Sequence, residues 1–412
     1  MNCFIKVILI KKDMVIEKDT HKKIDILRGI AILSVVLYHS QLVLFPGTNT
    51  YVSSYSDNGA LRISNASNTY SANGVLQVNN IKNAILNFIP TGFGWTGVEL
   101  FLLISGFLIH FGFLSNQKTF TLPVFFSKRF WRIVPTYLFA LFFFCFSRNL
   151  LGYYLTTKAG LEDLLSHIFL VHNFSEKTFY SINGCFWSLA LEMQLYLIYP
   201  VFLLMRKKVG ITRSFLIVLS ISFLVLIIGG IFTTVGNTLA YDRSVIKYWF
   251  IWCAGSFLAE KYYNNERIFS KGLPAIIIGA FLLTFFSITY PVSRYFTVYL
   301  ATFAWLAFFE WLLATERVNL NSKLSGLMAT IGICSYSIYL IHQPFLNDLL
   351  NYFLPYTTLT KYNLTPVKII PAFLIILLIS YTMYLFIELP SIQFGSKLRQ
   401  RKMKKQAATP VI

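Results

Sequence analysis

The stretch "IDILRGIAILSVVLYHS", residues 24–40, carries Arg28 and His39 in a largely apolar run. On a helix their spacing brings them to within about 20° of one face, about 16 Å apart along the axis. An ionisable group at membrane depth costs several kcal/mol, or about 3 kcal/mol on insertion scales, so its presence calls for a use. A guanidinium can hold an anion and an imidazole can move a proton. Plainer readings exist for each: Arg28 can snorkel to headgroups, and His39 can be an interfacial or hydrogen-bonded core histidine. Both on one face of one helix is harder to dismiss.

Further groups of this kind recur along the chain. In "GFGWTGVELFLLISGFLI", 92–109, Glu99 sits in an apolar helix pattern flanked by small residues that permit close helix approach. A carboxylate there is protonated or paired, and an imidazole is its natural partner; it can equally be a structural anchor. In "FFSKRFWRIVP", 125–135, Arg129 and Arg132 are three apart and share a helical turn, which suits a phosphate or pyrophosphate. The competing reading is the positive charge that flanks any cytoplasmic helix end. "CFWSLALEMQLYLIYP", 185–200, puts Glu192 and Tyr196 on one face below Trp187 and Ser188. An interfacial aromatic belt explains Trp187 but not Glu192. "GICSYSIYLIHQPF", 332–345, brings Ser335, Tyr336 and His342 into one apolar segment, and "FIELP" sets Glu388 at the end of the last, where it can be a mere helix-end charge.

The elements that must position these groups follow from composition. The 412 residues are 56% hydrophobic and only 13% charged, with a mean hydropathy of +0.60. Runs such as 214–235 and 369–387 approach the ~20 residues that cross a hydrocarbon core as helix. The fold class is therefore all-α: a polytopic membrane bundle of about ten spans, near 24–45, 93–114, 133–150, 186–205, 214–235, 244–262, 273–290, 295–314, 327–350 and 368–388. Residues 1–23 read as a basic cytoplasmic segment without the marks of a signal peptide, 24–390 as the membrane domain, and 391–412 as a basic tail beside anionic lipid. Polar stretches 46–85 and 151–185 read as extracytoplasmic loops. With the N-terminus in the cytoplasm most of the 36 Lys and Arg fall on that side, which sets both termini there. The formal charge of +19 gathers at the ends of apolar runs and so argues against a nucleic-acid partner. Five scattered cysteines lack metal-like spacing, so neither a disulfide framework nor a metal site is expected.

Taken together, the R-x10-H pattern of the first helix, "GVELFLLISGFLI", "RFWRIVP", "FWSLALEMQLYLIYP" and "CSYSIYLIHQPF" resemble the acyltransferase-3 membrane family. These are bacterial O-acyltransferases that modify surface polysaccharides and other glycans. The likeness covers roughly residues 22–392. It implies a bundle of about ten helices in the cytoplasmic membrane that takes an acyl group, commonly acetyl, from cytoplasmic acyl-CoA to an outer-face hydroxyl. It gives His39 the central catalytic role with Glu99 as its partner, and sets Arg28 on the donor path with Arg129 and Arg132 on CoA. Trp187, Glu192, Tyr196, Ser335, Tyr336 and His342 are then candidates for the substrate path, with Glu388 an accessory charge. Glu99 stands where the family usually has Asp, which moves the carboxylate by about one methylene. Many relatives add an esterase-like domain; here the sequence runs into a basic tail, so an acyl-relaying esterase-like or glycan-assembly partner is expected to be a separate protein. A transporter of glycan or lipid-linked precursors would also need intramembrane charges, but it predicts inverted repeats, and none is visible. A structural scaffold or sensor leaves the ionisable set unexplained.

Overall fold

A computed structural model describes residues 2–44, 51–55, 61–65, 90–117, 119–231, 239–269, 272–289, 296–353 and 369–408. Much of the expected loop 46–85 and the last four residues of the tail lie outside the described residues. In chain order the helices are α1 (Asn2–Leu44), α2 (Gly97–Ser115, entered through a 3-10 turn at Pro90–Thr96), α3 (Leu122–Ser147), α4 (Leu151–Thr156), α5 (Lys158–Ile168) and α6 (Phe186–Val209). They continue as α7 (Ile211–Ile231), α8 (Leu239–Asp242), α9 (Val245–Tyr263), α10 (Leu273–Thr289), α11 (Thr297–Ala314), α12 (Lys323–Ile333) and α13 (Ser335–Phe353). The last are α14 (Ile369–Met383), a π-helical turn at Tyr384–Glu388, and α15 (Leu389–Ala408). A short antiparallel ribbon, β1 (Tyr51–Tyr55) with β2 (Leu61–Asn65), lies within the segment expected to be loop.

The chain is a helical, multi-pass membrane protein. Among the described residues six helices are long and apolar enough to cross a bilayer, and α12 with α13 make a seventh if that pair is one span. The span expected at 327–350 is two helices that break at Cys334 with a bend of 76°, and α1 begins at Asn2, within the basic segment 1–23.

The chain divides into two compact units, Met1–Tyr38 with Ile89–Gly112 and Ile251–Ser335, and His39–Phe88 with Phe113–Phe250 and Tyr336–Ile412. In the first unit, small residues bring helix backbones together. A Cβ on Gly106 would stand 2.0 Å from the Trp252 carbonyl oxygen, and one on Gly255 2.0 Å from that of Leu103, so α2 and α9 approach to where only glycine fits. Gly29 and Gly332 do the same for α1 and α12. Several polar groups buried in this unit are partnered: His110 meets Glu260 at 3.0 Å, and the Glu310 carboxylate accepts the main-chain N–H groups of Ile268 and Phe269. Lys23 donates to the carbonyls of Leu313 and Thr315, closing the C-terminal end of α11.

In the second unit α3 begins with proline in its first turn, where no N–H is missed, and α6 ends in Arg206, Lys207 and Lys208 before Gly210 at φ 81. α15 packs on α3: Ser391 Oγ donates to the Trp131 carbonyl at 2.7 Å, and a Cβ on Gly395 would stand 2.3 Å from the Trp131 ring. α13 is tied to the turn before α6 and to α3. It is the element that positions the site.

Candidate active site

The turn "SINGC", 181–185, is where the site is built. Ile182 takes φ 61, a left-handed conformation costly for a β-branched side chain, of order 1–3 kcal/mol. The hydrogen bonds around it hold it there. Asn183 donates through Nδ2 to the Leu340 carbonyl at 2.8 Å, and its Oδ1 accepts the Cys185 N–H at 3.0 Å. A Cβ on Gly184 would stand 2.7 Å from Gln343 Oε1, so the turn lies directly against α13. Cys185, the residue before α6, is thereby fixed with its thiol 3.1 Å from Gln343 Oε1 and 3.6 Å from His342 Nε2.

His342 is fully buried on α13. Its Nδ1 faces the carbonyls of Tyr339 at 2.8 Å and Ile338 at 3.2 Å. Carbonyls only accept, so Nδ1 carries the proton and Nε2 carries the lone pair. That lone pair faces His39 Nδ1 at 3.1 Å. His39 therefore donates from Nδ1, which leaves its own Nε2 as the basic nitrogen. The rings sit 5.0 Å apart, and His39 is half-buried, able to meet a substrate. Beside them the Tyr339 and Ser188 hydroxyls meet at 2.5 Å, and the Tyr339 ring lies 5.5 Å from that of His342.

A second cluster begins two turns earlier on the same helix. Tyr336 donates to the Ile133 carbonyl at 2.9 Å, and Ser337 donates to Glu388 Oε2 at 2.7 Å. Glu388 closes the π-helical turn, a geometry that often marks functional positions. Glu192 accepts from the Tyr196 hydroxyl one turn along α6, and Tyr196 presents its ring face to the Arg129 guanidinium, 5.7 Å from its centroid. Arg132, Glu192 and Glu388 all lie within electrostatic reach of Tyr336. Arg129 Nε and Arg399 Nη1 are buried donors without a hydrogen-bond acceptor among the described residues, and the two guanidiniums feel each other's charge. Two like charges held together with donors to spare make a seat for an anion.

The sequence-predicted residues thus distribute unevenly. His39, Arg129, Arg132, Glu192, Tyr196, Tyr336, His342 and Glu388 gather in the second unit. Trp187, also in that unit, is buried beneath the Arg243 guanidinium, 4.6 Å from its ring centroid, and stacks on Phe179, which makes it part of the frame around the site. Glu99 is buried on α2 in the first unit, where Ser335 is also buried. Arg28, in the first unit, approaches Asp25 at 3.5 Å one turn away. Sequence reading passed over Cys185, Tyr339, Gln343 and Arg399. Tyr339 and Gln343 share a motif with His342, and Cys185 opens the motif that holds Trp187 and Ser188; that proximity is the signal that could have flagged them.

Comparison with known proteins shows what the chain is similar to. A family model described as an acyltransferase domain matches residues 21–385. Among curated proteins, O-acetyltransferase OatA from Staphylococcus aureus strains NCTC 8325 / PS 47, COL and MRSA252 is 29% identical over 283 residues in each case, 61% of this chain and 46% of the relative. The match therefore spans less than half the length of those relatives. No solved structure matches.

Proposed function

Because this chain belongs to the acyltransferase-3 family, an acyltransferase by membership, we propose that it moves an acyl group, acetyl in the first instance, from cytoplasmic acyl-CoA to a hydroxyl of an extracytoplasmic glycan or related acceptor. The reading includes about ten spans in the cytoplasmic membrane, both termini in the cytoplasm, and lipid and glycan as partners. The acetyl group is favoured by the relatives' being O-acetyltransferases by name.

The observation that best supports this reading is the His39–His342 pair. With His342 accepting from its Nδ1, His39 takes the acceptor's hydroxyl proton on Nε2. The oxygen attacks the thioester carbonyl, the carbon–sulfur bond breaks, and the proton passes to the departing CoA sulfur. The same nitrogen can instead take the acyl group before handing it on. The Tyr339–Ser188 hydroxyl pair is suited to donate to the developing oxyanion. Arg129, Arg132 and Arg399 suit the phosphates of CoA, and Trp131 neighbours them on α3. Arg28 is assigned to the donor path and Glu99 to the support of His39, on the family pattern alone.

The test uses membranes carrying the full chain with radiolabelled acetyl-CoA. His39→Ala should lower label transfer to envelope glycan by about 10²-fold or more, the size of a general base. Full transfer by a folded His39→Ala protein would overturn the proposal.

A further inference from the structure

Cys185, His39 and His342 come from three distant segments of the chain, yet their ligand atoms all lie within 4.8 Å of one another. We infer that these three side chains form a binding site for a single thiophilic divalent ion, zinc above all, with one coordination position left open.

The geometry is that of a tetrahedral site. Zinc bonds of about 2.05 Å to nitrogen and about 2.3 Å to sulfur set the edges of a regular tetrahedron at about 3.3 Å for N···N and about 3.6 Å for N···S. The corresponding distances are 3.1 Å from His342 Nε2 to His39 Nδ1 and 3.6 Å from His342 Nε2 to Cys185 Sγ. The third edge closes by a small swing of the half-buried His39 or of the thiol. The outer contacts favour ligation as well. The Tyr339 and Ile338 carbonyls hold the proton on His342 Nδ1, so its Nε2 offers a lone pair without any change of tautomer. Asn183 anchors the backbone of Cys185, and Gln343 Oε1 takes the thiol proton in hydrogen bond until a metal displaces it to solvent. Two imidazoles and a thiol with no carboxylate select zinc, cobalt or copper(I) over magnesium or calcium.

One consequence rests on the proposed function. A metal on His39 Nδ1 leaves the neutral ring's proton on Nε2, so the nitrogen proposed as base can no longer take one. Zinc should therefore inhibit transfer reversibly, chelator restoring it. The metal site itself stands without that reading.

The experiment uses the full chain purified on a histidine-free tag, placed in nanodiscs and stripped with chelator. Cobalt(II) alone is the probe. One equivalent should bind with a thiolate-to-cobalt charge-transfer band and the strong visible absorption of tetrahedral cobalt, and zinc should erase both. Cys185→Ser, which keeps the hydrogen bond to Gln343, should lose the charge-transfer band, and His342→Gln should weaken binding at least tenfold. A wild-type spectrum without that band, or a band that persists in Cys185→Ser, would overturn the site. Zinc inhibition is then read as the ratio of activities with and without the ion inside each variant. A thiolate band without inhibition upholds the site and counts against His39 as base. Inhibition without the band counts against the site.

Discussion

At the scale of single residues, the site depends on which atoms have proton donors and which lack acceptors. His342 is oriented by two main-chain carbonyls and so passes a fixed tautomer to His39. Arg129 and Arg399 are the reverse case, each with a buried N–H donor that has no acceptor among the described residues. A charged hydrogen bond to phosphate is worth about 1.5–3 kcal/mol, which is roughly ten- to a hundredfold in affinity. Arg399→Gln is accordingly expected to raise the KM for acyl-CoA at least tenfold and to leave kcat within about twofold, as measured by initial rates against donor concentration. The sequence singled out His39 as an ionisable group in an apolar run, and Arg129 and Arg132 as two cations three residues apart. Arg399 was hidden in a run of tail cations, where a lipid surface explains every charge equally well. Cys185 was hidden for another reason: spacing rules see neighbours along the chain, and its partner imidazole lies 157 positions away.

At the scale of elements, membrane helices have no hydrophobic gain from meeting one another, so close backbone approach carries much of their association. The reciprocal glycines Gly106 and Gly255 are where α2 and α9 meet. Gly106→Val forces a side chain into the Trp252 carbonyl and should destabilise the fold by about 1–3 kcal/mol, the usual range for overpacking. Thermal unfolding in detergent is expected to show the drop, while Gly279→Ala, with nothing within 4 Å of its Cβ position, should not change the midpoint. Hydropathy located α2, α6, α7, α9, α10 and α11 to within a few residues. It missed the break at Cys334 because both halves are apolar, and nothing in their side-chain types marks a change of helix. The ribbon β1–β2 escaped because each strand is only five residues long and sits in a stretch rich in Ser, Asn and Gly, which reads as loop.

For the whole molecule, acid should be the main chemical stress on the segment between α5 and α6. His172 stacks on His167 with ring centroids 3.9 Å apart, and burial first, then the neighbouring imidazole, holds it well below the usual value of 6.5. The unfolded chain protonates this ring below about pH 6.5 and the folded chain only at much lower pH. Stability is thus fully present above pH 6.5 and falls on acidification, by at most about 1.4 kcal/mol per pH unit from this group. His172→Asn should flatten that limb in melts taken across the acid range; an unchanged limb would remove His172 as its source. Composition alone made the membrane class legible, since so few charges cannot cover a water-facing surface of this size. The grouping of distant segments around α13 was not legible, because it is set by contacts that leave no periodic trace. The π-helical turn at Tyr384–Glu388 has one more consequence. Ser391, Gly395 and Arg399 follow it at intervals of four, and the first two touch Trp131 while the third neighbours Arg129. The extra residue in that turn works like a clutch between two shafts: remove it and the downstream stripe is thrown about 100° out of phase, carrying an arginine off its anion seat with no change in the tail's own sequence.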